Sequence, residues 1–269
     1  MAVVPSETKP RAFGEPETVC MITDRRITES SGLAPSLDRK GVWYTHNDSS
    51  DGPNIYAFDA TGKVLATYQV EGAKAVDWED MSSAQVAGQN YLYLGDIGDN
   101  LGRRNEIVVY RVREPGPEGG KVPLDEAIHL RYPDEPHNAE ALIIDPATGA
   151  ICVITKSSEK TTVYVAGPEG GTLRSIGTVS VGGMIRESRK VTGGDISPDG
   201  AYVVLRTYMG AYEFSTAGGF EEWPKSTPLK IKTNLDLQGE GIAYARDGKA
   251  LWTSSEMSPC QISRIPLVP

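Results

Sequence analysis

The chain has 269 residues, 39% hydrophobic and 23% charged, with a formal net charge of −9. This length suits one large all-β domain or two small ones, and the composition excludes disorder over most of the chain. The acidic balance argues against nucleic acid or an anionic membrane as a partner, since both need clustered Lys and Arg. No apolar run approaches the roughly 18 residues of a membrane-spanning helix.

The first 16 residues, MAVVPSETKPRAFGEP, are Pro-rich and lack an apolar core. They read as a flexible tail ahead of a single domain over residues 17–269, and as the mature end of an exported protein whose signal has been trimmed. A β-prone segment, TVCMITDR at Thr18–Arg25, follows.

A phrase then recurs five times, each a small or acidic pair followed by an aliphatic and a small residue. It reads ESSGLA from Glu29, DWEDMS from Asp77, NAEALI from Asn138, TGGDIS from Thr192 and QGEGIA from Gln238. The aliphatic members Leu33, Met81, Leu142, Ile196 and Ile242 are 48, 61, 54 and 46 residues apart, the period of a propeller blade. Each phrase leads through a turn such as DPATGA or SPDGA into a strongly β-prone run: GVWYTHND, NYLYLGDI, AICVITKS, AYVVLRTY, ALWTSSEM. A third run follows in every unit, and a fourth in the first four. The fifth unit reaches Pro269 after three, so Thr18–Arg25 is expected to supply its missing strand. The pattern predicts a five-bladed β-propeller closed by its N-terminal strand, with helix limited to single turns.

In such a ring the start of strand one and the end of strand two meet at one mouth of the central channel. Strand one brings Glu79, Glu140 and Glu240 there, with Trp78 beside Glu79. Strand two brings His46, Asn47, Asp96, Lys156, Arg206, Tyr208 and Glu256. Acidic groups gathered at a narrow mouth repel unless a cation, shared protons or the basic residues offset them. Three functions follow. Oxygen ligands from the loops NDSSDGPN and GDIGDN, with Asp96, Asp99 and Asn100 as the set, would suit Ca²⁺. Two of the three glutamates would serve as acid and base in glycoside hydrolysis, with Trp78 as a sugar platform. Lys156, Arg206, His46 and Tyr208 would suit a lyase acting on an anionic substrate. A salt-bridge ring that only holds blades together, in a ligand-binding or scaffold propeller, is the non-enzymatic rival. The elbow, zinc, phosphate-loop and dinucleotide motifs GxSxG, HExxH, CxxC, GxxxxGK[ST] and GxGxxG are absent.

Three cysteines are present; Cys152 in ICVI reads as a buried thiol, while Cys20 and Cys260 would approach on ring closure, either as a disulfide in an oxidising compartment or as two free thiols. The segments ITDRRITESSGLAPS, THNDSS, DWEDMS, YLGDIGDN, YPDEPHNAEAL, TGGDISPDG, VVLRTY and QGEGIAY, from about Ile22 to about Glu256, resemble a group of secreted bacterial propeller proteins, especially from actinobacteria. Its members carry a generic propeller or phytase-esterase-like designation. The resemblance implies extracellular placement and an acidic pocket on one face, and fixes no reaction. The expectation taken forward is an extracellular, monomeric carbohydrate-active enzyme, a glycoside hydrolase using two of Glu79, Glu140 and Glu240. It acts on a glycan or small molecule and either needs no cofactor or carries Ca²⁺.

Overall fold

The computed structural model describes residues 11–49, 51–234 and 238–268. Five small, mainly antiparallel sheets form the blades of a propeller, and helix among the described residues is confined to two short 3₁₀ segments, Arg186–Arg189 and Phe220–Lys225. The innermost strands are Ser30–Pro35, Trp78–Val86, Ala139–Ile144, Val191–Ile196 and Gly239–Tyr244, and they contact one another in that order around the axis. All but the second are buried at every position, since they face neighbouring blades as well as their own. That crowding explains the small residues of the repeated phrase. A Cβ on Gly32 would lie 2.4 Å from His46 Nε2 and 2.6 Å from the Met81 nitrogen.

Apolar side chains fill the space between every pair of adjacent blades in five clusters. Polar bonds then stitch blade to blade near the axis. The fully buried Asp80 of blade two accepts from Leu142 N (2.9 Å) in blade three and Gly194 N (3.1 Å) in blade four. Asp195 of blade four accepts from Tyr244 N (2.8 Å) in blade five.

The ring closes as expected: Glu17–Ile22 pairs antiparallel with the last strand, Cys260–Val268. Of the stretch read as a tail, residues 1–10 lie outside the described residues. Ala12–Phe13 pairs with the far end of that same last strand, and Arg11 forms a two-pronged contact with the buried Glu213 (2.9 and 3.1 Å). The Cys20–Cys260 disulfide does not form, and all three cysteines are free thiols. The register sets Cys20 opposite Ile262 and Cys260 opposite Ile22, so the two sulfur atoms do not face each other. No described helix is long and apolar enough to cross a membrane.

Candidate functional site

Each innermost strand carries a register shift at the repeated phrase, where it meets the channel mouth. The residues left out of the ladder are the ones the mouth uses. Glu79 falls between the pairs Trp78–Asp96 and Asp80–Gly95, and Glu140 between Ala139–Thr155 and Ala141–Ile154. Glu240 falls between Gly239–Ser255 and Ile242–Thr253. A bulge re-aims its extra side chain away from the sheet, and three of the five bulges carry a carboxylate. In blade four the unpaired residue is Thr192, whose hydroxyl donates to Gly239 O at 2.8 Å and so joins blades four and five.

The three glutamates are buried but unequal. Lys156, from the end of strand two in blade three, forms an ion pair with Glu140 and lies 5.1 Å from the centre of the Tyr208 ring. Burial opposes the charge of Lys156, yet Glu140 and Glu240 together raise its pKa and keep it an ammonium. Burial also raises the carboxyl of Glu140, to about 7, against the pull of Lys156. Burial and the nearby Glu140 push Glu79 and Glu240 well above the carboxylate range. Contact with Lys156 therefore favours the charged form of Glu140, while burial and the nearby Glu140 favour the neutral form of Glu240.

Glu79 belongs to a second group. One ligand oxygen from each of Asp48, Asp77 and Glu79 lies within 4.8 Å of the others. The cation set expected from sequence, Asp96, Asp99 and Asn100, is otherwise engaged. Asp96 accepts from Arg104 (2.7 Å) and Asp77 N (3.0 Å), and both oxygens of Asp99 accept from the backbone of Arg103 (2.9 Å) and Arg104 (2.8 Å). Asn100 Oδ1 accepts from Asn138 at 3.2 Å. These contacts shape the loop that follows strand two. Asp77 and Asp48 flank the strand ends picked out in the sequence. Their signal was the acidic residue on the outer side of Trp78 and of Asn47.

Four residues expected to bind substrate turn inward instead. Trp78 is fully buried, donates to Lys74 O (2.9 Å) and packs edge-on against His46, so it offers no sugar platform. His46 is itself fully buried; burial lowers its pKa and keeps the ring neutral. Asn47 accepts from Thr28 N and Glu29 N and donates to Arg26 O and Asp51, which pins the loop entering blade one. Arg206 donates to Gly241 O (2.9 Å) and Ser254 O (3.0 Å) and ties blade four to blade five. Tyr208 and the half-buried Glu256 remain at the mouth, with Glu256 accepting from Gln238 at 2.7 Å.

A groove of about 580 Å³ leads off beside Lys156, lined in part by Asp134, His137, Lys160 and Tyr164. His137 Nε2 lies 3.0 Å from both Asp134 and the Tyr164 hydroxyl. His137 directly precedes the repeated phrase of blade three, and no sequence motif marks it. A second cavity, about 510 Å³ and floored by the stacked Trp43 and Trp252 (4.5 Å between ring centres), opens at the opposite strand ends, away from the carboxylates.

No protein-family model and no curated protein matches the sequence. Among solved structures, a luciferin-regenerating enzyme superposes with a TM-score of 0.50 at 10% identity, covering 96% of this chain and 95% of that one. Hydrazine synthase from Kuenenia stuttgartiensis superposes with a TM-score of 0.46 at 11% identity, covering 83% of this chain; the alignment spans 61% of that chain. At such identities the likeness concerns the propeller architecture alone. Fold and site together define a five-bladed propeller with a buried, acidic channel mouth.

Proposed function

We propose that this propeller is an acid–base hydrolase of glycosidic bonds, with Glu240 as general acid and Glu140 as the ionised partner. The observation that carries this reading is the ion pair of Lys156 with Glu140, which makes two buried carboxyl groups of one mouth chemically different. Hydrolysis needs that inequality. Glu240 gives its proton to the leaving oxygen as the C–O bond breaks. A water then adds at the anomeric carbon: either directly, with its proton taken by Glu140, or after a glycosyl ester of Glu140 has formed, in which case Glu140 leaves as the carboxylate and Glu240 takes the water's proton.

Beside Lys156 lies a groove of small-molecule size, not lined by Glu140 or Glu240, whose polar lining suits sugar hydroxyls further along a glycan. Tyr208, next to Lys156, and Glu256 are placed to position the substrate. Trp78, His46, Asn47 and Arg206 support the mouth from behind. The resemblance to secreted propellers favours a substrate met outside the cell.

The test is turnover of a panel of aryl glycosides and polysaccharides by the parent, Glu140→Gln and Glu240→Gln. Each variant is expected to lose about 10³-fold in kcat. Glu240→Gln should melt no lower than the parent, because a desolvated carboxyl is replaced by a neutral amide, whereas Glu140→Gln leaves the Lys156 ammonium without its partner and should melt lower. An unsaturated product would mean elimination and hence a lyase. Absence of turnover across the panel, with only melting temperatures changing, would leave a binding or scaffold propeller.

A further inference from the structure

We infer that Asp48, Asp77 and Glu79 form a binding site for one hard divalent cation, Ca²⁺, at the edge of the channel mouth. The three carboxylates come from two blades: Asp48 follows the second strand of blade one, Asp77 precedes the first strand of blade two, and Glu79 is the bulged residue of that strand. One oxygen from each lies within 4.8 Å of the others.

Glu79 provides an independent sign that a ligand belongs here. The residue is 4% exposed, and its Oε1 has no hydrogen-bond partner among the described residues. A buried oxygen of this kind is costly unless something coordinates it. Its aim is fixed by Gly98: a Cβ there would stand 2.2 Å from Glu79 Oε1 and 2.4 Å from Asp77 Oδ2. The two oxygens thus converge over the one residue type that leaves them room.

Main-chain bonds hold these residues in place, and Asp48 Oδ1 also accepts from Ser49 N. Asp77 N donates to Asp96 (3.0 Å), Gly98 N donates to Asp77 O (3.1 Å), and Asp48 N donates to Glu29 O (2.9 Å). The neighbouring cations are committed elsewhere, Arg104 to Asp96 and Lys156 to Glu140. Three carboxylates without a dedicated cation repel one another, and a bound divalent ion turns that repulsion into attraction. The donor set is all oxygen, with no thiolate or imidazole, which selects the hard ions over zinc or copper. Irregular carboxylate spacing, completed by water, suits the loose coordination sphere of Ca²⁺ better than the strict octahedron of Mg²⁺. The site needs no substrate and stands apart from the acid–base reading, since it removes Glu79 from that pair.

The experiment is calorimetric titration of Ca²⁺, and separately of Mg²⁺, into chelator-treated full-length protein, with thermal melts alongside. One Ca²⁺ per chain is expected, with a Tm rise of about 5 °C or more at a hundredfold excess over Kd. Asp77→Asn and Glu79→Gln should each weaken binding by at least about tenfold and, without metal, melt at or above the parent. The second readout separates loss of a ligand from loss of the fold. No heat or melting shift at millimolar Ca²⁺, or unchanged binding in both variants, would overturn the proposal, and Mg²⁺ binding as tight as Ca²⁺ would overturn the choice of ion. None of these readouts depends on hydrolysis, so a failed glycoside screen leaves the inference untouched.

Discussion

Lys156 pairs with Glu140 of its own blade and rests over the ring of Tyr208, so one ammonium from blade three faces carboxyl groups of blades three and five. Replacing it with Met is expected to cut kcat on a glycoside about 10²-fold, because Glu140 would then take a proton and lose its basicity. The stability cost should depend on pH. Removing one member of a buried ion pair is severe when the other must stay charged, but Glu140 already titrates near about 7. Lys156→Met should therefore melt close to the parent in mild acid and fall below it at alkaline pH. Unchanged kcat would remove Lys156 from the mechanism.

Arg206 illustrates the opposite case, a cation at the mouth in sequence that is a strut in space. Its guanidinium is 1% exposed and bonds two carbonyls of the next blade. Arg206→Ala is expected to destabilise the protein by about 3 kcal/mol, from two charge-assisted bonds and the buried space left behind. Calorimetric Ca²⁺ affinity of the folded fraction should not change. A stable Arg206→Ala protein with altered substrate affinity would return Arg206 to the binding site.

The architecture was legible because it repeats: five phrases at blade spacing, five sets of strands and one missing strand leave little choice of fold. The mouth was legible only in part. Two residues before the aliphatic column stand Glu79, Glu140 and Glu240, each at the register shift of its strand. In blade four that position is Gly194, whereas the register shift there leaves out Thr192. Register also fixes where a backbone ends without fixing where its side chain turns. Trp78, Asn47 and Arg206 share a face with the glutamates yet point into seams between or beneath blades, drawn there by the burial of their rings and by carbonyl acceptors. Asp48 and Asp77 lie one residue outside the strands, and only the folded loops bring them to Glu79.

Asp195 gives the pH dependence a testable sign. Burial, set against N–H bonds from Tyr244 and Ile196, raises its carboxyl to about 7. An unfolded chain holds the same group at about 3.9. Between those values the folded state binds more protons, so this group's contribution to stability falls as pH rises from about 4 to about 7 and is flat above. Asp195→Asn removes the titration. The melting temperature of the parent minus that of the variant should drop by a few degrees across the window. A difference that does not vary with pH would mean that Asp195 is ionised throughout.

Ring closure makes the last prediction. Glu17–Ile22 is the fourth strand of blade five, and without it the edge of Cys260–Val268 and the seam with blade one would be open. Within that strand Ile22 is fully buried, in the cluster that also holds Leu33, Trp43 and Phe58 of blade one, while its neighbour Met21 is 40% exposed. Ile22→Ala should cost about 3 kcal/mol through lost contact and a residual cavity. Met21→Ala, on the solvent side of the same strand, should stay within about 0.5 kcal/mol. Urea denaturation of both variants measures the contrast. Equal, small effects would mean that the N-terminal strand lies on the ring without holding it shut. A large cost confined to Ile22 would show that the two ends of the chain share a single core, so that the propeller cannot open at that seam without unfolding as a whole.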